Sequence, residues 1–234
     1  MTELEALEQE LLKPSEGLIS DISKIEGDII LLGVGGKMGP SMAKLARRAV
    51  TQAGINKKII GISRFSEAGT REELEADGIE TIAADLLNEK DLAALPDAPN
   101  IIYLAGTKFG TTGKEPFTWA MNSYLPGRVA ERYKDSRIVA FSTGNVYPFS
   151  PIGSGGLSED HIPAPVGEYG QSCLGRERIF QYFSERYQMP TLIYRLNYAI
   201  DLRYGVLLEI AKSVNEGRAI DLTTGNVNVI WQGD

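Results

Sequence analysis

The residues best placed to do chemistry are the glycines of one seven-residue run, Gly33-Val34-Gly35-Gly36-Lys37-Met38-Gly39. Glycine lets the backbone turn sharply and lets its amides approach a phosphate with no side chain in between. An apolar run, Ile29 to Leu32, stands in front. A helical pattern follows, opening at Pro40 and Ser41, with Met42, Leu45, Ala46, Ala49 and Val50 at three- and four-residue steps. Strand, glycine turn and helix form a cradle for a pyrophosphate, whose charge is met by amides and by the positive end of the helix. The spacing of Gly33, Gly36 and Gly39 is not the usual G-x-G-x-x-G, so the run by itself also fits an ordinary glycine-rich turn.

Two further places carry chemical signals. The apolar run Lys58 to Ile62 ends in Ser63-Arg64-Phe65. In a dinucleotide-binding fold that point lies beside the adenosine ribose, where an acidic residue binds the ribose hydroxyls and an arginine suits a 2′-phosphate. Arg64 there, no carboxylate beside it and Lys37 in the glycine loop favour NADP over NAD; the plain alternative is that Arg64 is a solvated loop residue. Ala105-Gly106-Thr107 follow the strand pattern Asn100 to Leu104, and small residues past a strand's carboxyl end are where a ligand would lie.

The elements that position these residues alternate. Strand patterns at 29–32, 58–62, 78–83, 100–104, 137–141 and 191–194 are separated by helical patterns at 40–50, 71–76, 91–95, 115–133 and 168–187. Such alternation implies an α/β fold, a doubly wound parallel sheet with helices on both faces. Pro126-Gly127 must kink or interrupt the helix over 115–133. Residues 148–165 form a loop rich in Pro, Gly and Ser, and residues 204–216 a late helix before short strands at 220–222 and 227–231. Two short helices, Thr2 to Leu12 and Gly17 to Glu26, make an N-terminal cap over 1–27; the cofactor domain is 28–196 and a partial substrate lobe 197–234.

Composition sets bounds. The 234 residues are 43% hydrophobic and 24% charged, as in an ordinary globular chain. A net charge of −7 argues against a nucleic-acid partner. No apolar run reaches the roughly 20 residues that span a bilayer. No secretory leader is visible, and the chain is expected to be cytoplasmic and without a membrane partner. One cysteine and one histidine exclude a disulfide framework and argue against a protein-built metal site.

Several signals then fall in one order. GVGGKMG fits the G-x-x-G-x-x-G of the extended short-chain dehydrogenase/reductases, the NAD(P)-dependent epimerase/dehydratase family, and from about Asp28 onward the chain resembles that family. Asp85-Leu86 resembles its acidic-apolar pair at adenine, NIIYLAG its V-x-H-L-A-A turn, and Asn122 the asparagine of the following helix. FSTGNVYP resembles S-S-x-x-V-Y-G, which puts Thr143 at the catalytic hydroxyl; YGQSCLGRE, from Tyr169, resembles Y-G-x-S-K-x-x-x-E; RLNYA, from Arg195, resembles R-x-x-N. The resemblance implies a Rossmann-like fold and hydride transfer on a hydroxyl or carbonyl of a small-molecule substrate such as a sugar nucleotide. It implies that Gly33, Gly36, Lys37, Met38, Gly39, Arg64, Asp85, Leu86, Ala105, Gly106 and Thr107 hold the cofactor. Thr143 would orient the substrate, Tyr169 exchange its proton, Asn122 support the proton path and Asn197 touch substrate. It also implies a homodimer through the helices at 115–133 and 168–187.

One departure falls inside the catalytic motif: Cys173 stands where the family has lysine. A free tyrosine titrates near 10 and needs that neighbouring charge to act as a base near neutral pH. A thiol cannot supply it, and its anion would raise the tyrosine further. Arg176 or Lys108 could lend a charge. Cys173 itself reads as a small buried residue or, alternatively, as a nucleophile acidified at a helix N-terminus. His161 and the neighbouring Glu159-Asp160 read as loop residues without chemistry. A second departure is length, since the chain stops at Trp231-Gln232-Gly233-Asp234, before the rest of the family's substrate lobe; a trimmed chain and a naturally short protein both fit. The competing class is a catalytically impaired NAD(P)-binding module, a redox sensor or assembly partner.

Overall fold

The computed structural model describes residues 3–108, 112–222 and 225–233, so Thr2 and Asp234 of the readings above lie outside it. Six strands form one sheet: β1 (Ile29–Leu32), β2 (Ile59–Ser63), β3 (Glu80–Ala83), β4 (Asn100–Tyr103), β5 (Arg137–Thr143) and β6 (Thr191–Leu196). Their order is β3-β2-β1-β4-β5-β6, and every pairing is parallel. This doubly wound order places a switch point between β1 and β4, the crevice where such folds take ligands.

β1 is apolar throughout because both of its faces are covered. Alternate residues point to opposite faces. Ile30 and Leu32 therefore join a core with Tyr103, Leu125, Val129 and Phe180, while Ile29 and Leu31 join another with Ile22, Ala43, Val50 and Leu74. The first core packs against α7 (Leu125–Arg132) and α8 (Gly167–Tyr187); the second packs against α2 (Glu16–Lys24), α3 (Gly39–Gln52) and α4 (Thr70–Ala76). Ser15 caps α2 by accepting from the Leu18 N–H at 3.2 Å. α1 (Glu3–Leu11) is tethered to α3 by Arg48, which donates to the Leu12 carbonyl at 3.2 Å and to Gln9 Oε1 at 2.7 Å. α5 (Glu89–Ala94) is capped by Asn88.

The expected interruption near Pro126 takes a specific form. α6 (Glu115–Trp119) passes into a π-helical turn, Ala120–Tyr124, before α7. Pro126 has no N–H for the carbonyl of Asn122, four residues back, and its ring would clash there. The widened turn relieves both and sets Asn122 at its centre.

After β6 the chain forms β7 (Tyr198–Ile200), α9 (Val206–Asn215) and β8 (Val229–Trp231), with β7 and β8 paired in parallel. The strand expected over Ile220 to Leu222 does not form. Both of its apolar side chains are exposed, and β8 pairs instead with β7, which the sequence pattern had not marked.

Candidate active site

The glycine loop runs from the end of β1 into α3, and its three spaced glycines are needed for different reasons. Gly33 has φ +91°, and a Cβ there would lie 2.8 Å from the Ala105 backbone nitrogen, where β1 and β4 end side by side. At Gly39 a Cβ would collide with the Val34 carbonyl, so the start of α3 can pack only as glycine. Gly36 is exposed, and the nearest atom to a Cβ there is the Gly33 carbonyl at an ordinary 3.5 Å. Nothing in the fold crowds a Cβ at 36. α3 begins without a side-chain cap, so its first amides remain available to an anion.

A cleft of about 550 Å³ opens over this loop, lined by Gly35, Gly36, Lys37 and Ser41 and walled by Glu8 and Leu11 of α1. Glu67 and Glu73 reach it from the β2 side, whereas Arg64 is exposed and outside its lining. Arg203 closes the far side, donating to Ser41 Oγ at 2.6 Å and to the buried Asp201 carboxylate at 2.7 Å. Asp85 is occupied with its own turn: Oδ1 accepts from the Leu87 N–H at 3.0 Å, and Leu86 is buried in the core.

At the carboxyl ends of β4 and β5 a second group converges. Thr143 ends β5, and its Oγ1 accepts from the Asn145 N–H at 3.2 Å. Tyr169, in the first turn of α8, has Thr143 and Cys173 as neighbours that bear on its hydroxyl. Burial pushes Tyr169 well above the usual phenol range, with Cys173 raising it further and Arg176 opposing. Burial likewise raises the thiol of the fully enclosed Cys173, again against Arg176. Both groups are therefore protonated at neutral pH, which removes the acidified-nucleophile reading of Cys173.

Asn122 is fully buried and fully engaged. Its Nδ2 donates to the Thr107 carbonyl and to Ser172 Oγ, each at 3.0 Å, and its Oδ1 accepts from the Thr107 N–H at 2.9 Å and from Arg176 Nη2 at 2.7 Å. It clamps the Ala105-Gly106-Thr107 turn to α8. Glu177, unassigned by sequence reasoning although it falls inside the motif quoted above, is buried. It accepts from Ser142 Oγ at 2.5 Å and from Arg195 Nη2 at 2.8 Å. Arg195 also donates to the Tyr147 hydroxyl at 2.6 Å, so one ion pair holds β5, β6 and α8 together below Thr143. Asn197 is exposed beside Gly144, and Lys108 rests on the Tyr198 ring at 4.4 Å.

The model of the NAD dependent epimerase/dehydratase family matches residues 29–203. The chain belongs to that family. No curated protein sequence matches it significantly. Among solved structures, the UDP-glucuronic acid 4-epimerase of Bacillus cereus, in complex with UDP-glucuronic acid and NAD, superposes with a TM-score of 0.73 at 21% identity, over 88% of this chain and 69% of that one. The UDP-N-acetylglucosamine 4-epimerase of Methanobrevibacter ruminantium gives 0.72 at 16% identity, over 89% and 70%. The UDP-glucose 4-epimerase of Thermotoga maritima gives 0.71 at 15% identity, over 88% and 69%. At such identities these likenesses establish the fold alone, the parallel α/β architecture described above. Among the described residues no helix is long and apolar enough to cross a membrane.

Proposed function

We propose that this epimerase/dehydratase family member is an NAD(P)-dependent enzyme that oxidises and reduces a hydroxyl carbon of a sugar-nucleotide-like substrate. The observation that carries this reading is that Thr143, at the end of β5, and Tyr169, in the first turn of α8, come close at the carboxyl end of the sheet whose β1 opens into the glycine loop. A bound nicotinamide dinucleotide would supply hydride transfer. Gly36, Lys37, Met38 and the open N-terminus of α3 suit its pyrophosphate, and the Ala105-Gly106-Thr107 turn suits its approach between β1 and β4. Lys37 supports the expected preference for NADP. The carboxylates of Glu67 and Glu73 in the cleft, with Arg64 outside it, shift the balance toward NAD.

Thr143 orients the reacting hydroxyl or carbonyl, and Tyr169 gives or takes its proton. Because Tyr169 is held protonated, it is a ready proton donor and a poor base. Asn122 holds the turn through its side chain and, as the family resemblance implies, supports the proton path. Asn197, exposed beyond β6, would touch substrate. Phe117, Trp119, Tyr124 and Tyr182 are exposed on the α6–α7 and α8 segments, which supports a homodimer through them. The single buried thiol suits a cytoplasmic setting.

The second reading, a cofactor-holding module without turnover, is favoured by the thiol in the place of the lysine. Incubation with NAD and UDP-glucose or UDP-glucuronic acid, followed by NMR of the sugar, separates the two. Formation of the C4 epimer by the wild type and not by Tyr169→Phe supports the enzyme. Cofactor binding without conversion of either sugar supports the module.

A further inference from the structure

Among the described residues, Arg176 is the one with a buried side-chain nitrogen left without a partner. It is 93% buried by the complement of its 7% exposure, and it lies three residues after Cys173 on the same face of α8. Long helical side chains run back toward the N-terminus of their helix, which carries Arg176 toward the turn of Cys173 and Tyr169. Its Nη1 donates to the Phe141 carbonyl at 2.8 Å and its Nη2 to Asn122 Oδ1 at 2.7 Å. The guanidinium carbon lies 5.8 Å from the centre of the Tyr103 ring. A Cβ at Gly106 would come within 2.5 Å of Nη2, so a residue without a side chain there leaves room for the fork. Nε finds no partner among the described residues. Enclosing a cation with an unused donor is costly, and a chain that only needed to fill this space would do so with an apolar residue.

We infer that Arg176 supplies, from one turn further along α8, the buried positive charge that the family's lysine supplies at the position of Cys173. The two departures form one exchange. An uncharged residue at 173 leaves Arg176 as the enclosed cation of that helix face, and a lysine restored at 173 would enclose two cations together. Arg176 is a positioning residue: its charge acts through the Tyr169 hydroxyl and the Cys173 thiol. This deepens the enzyme reading above and rests on it. The titratable groups that face the thiol are Tyr169, Arg176 and Glu177 on α8, Tyr103 on β4 and Lys108 after β4. Of these, Arg176 is the cation that bears on both the hydroxyl and the thiol.

The test needs neither cofactor nor substrate, so its failure is distinct from failure of the enzyme reading. Cys173 is the only cysteine, and a ¹³C label on its Cβ reports its ionisation alone. Arg176→Met should raise the thiol pKa by about one unit or more, and Arg176→Lys should keep it near the wild-type value. Equal titration of the wild type and Arg176→Met would overturn the inference. Thermal unfolding of C173K, R176V and the double variant gives a second reading. C173K should lower the midpoint, and adding R176V should recover part of that loss, a coupling expected of neighbours and not of independent sites. Additive effects, or a C173K protein as stable as the wild type, would overturn it; the latter comparison still decides if R176V does not fold.

Discussion

Replacing Glu177 by glutamine removes one charge and changes almost no volume, so its effect reports the ion pair below the active site. Glu177 is 1% exposed and faces Arg195 through two bonds from Nε, at 3.0 and 3.2 Å, and one from Nη2 at 2.8 Å. This partnership, with the Tyr147 hydroxyl, holds the Arg195 guanidinium above its ordinary value. Breaking a buried pair by removing one partner costs about 3–5 kcal/mol, because the other charge stays enclosed. The Arg195 side chain keeps 18% of its exposure and its bond to Tyr147, which places the loss at the lower end, about 3 kcal/mol. At about 2–4 °C per kcal/mol for a chain of this size, the unfolding midpoint should fall by about 6–12 °C. Circular dichroism during a thermal ramp measures it. A fall under about 2 °C would mean that water already solvates Arg195 and that this pair does not fasten β6 to α8.

Substitution within the glycine loop should separate folding from binding: Gly39→Ala should lower the unfolding midpoint through collision with the Val34 carbonyl, while Gly36→Ala should leave it nearly unchanged and abolish stabilisation by a dinucleotide. Tyr169→Phe should remove turnover while sparing that stabilisation. Because Tyr169 is held protonated, the rate of hydroxyl oxidation should climb about tenfold per pH unit from neutral upward until the fold fails; a rate flat across that range would show another base. Stability should be full below about pH 10 and then decline. Burial pushes Tyr133 and Tyr204 up to about 12, so the unfolded chain releases these protons first and alkali favours it. Unfolding midpoints rising between those pH values would contradict this.

The sheet was readable wherever apolar runs were long enough to show their covering on both faces, as at Ile29 to Leu32, and wherever glycine punctuated a strand and a helix. β7 was not readable, because three residues, Tyr198–Ile200, carry no periodicity and pair with a strand far along the chain. The site divided in the same way. Thr143 and Tyr169 were legible from the motifs around them. The sequence gives no sign that Gly36 differs from Gly39, since the difference lies in what a Cβ would meet. Arg176 reads in the sequence as a charge that could be lent to Tyr169; its enclosure depends on Gly106, Asn122 and the Phe141 carbonyl, which the fold gathers from three other places. The Asp201–Arg203–Ser41 network was silent for the same reason.

The central claim, that the crevice at the end of β1 takes a nicotinamide dinucleotide, is tested most directly by thermal unfolding with NADH, with NADPH and with neither. Ligand at about a hundred times its dissociation constant should stabilise the native chain by about 2.7 kcal/mol, a shift of several degrees. Stabilisation by either cofactor that Gly36→Ala abolishes is the predicted result. An unchanged midpoint with both cofactors at saturating concentration would contradict the assignment of the glycine loop and, with it, the roles given to Thr143 and Tyr169.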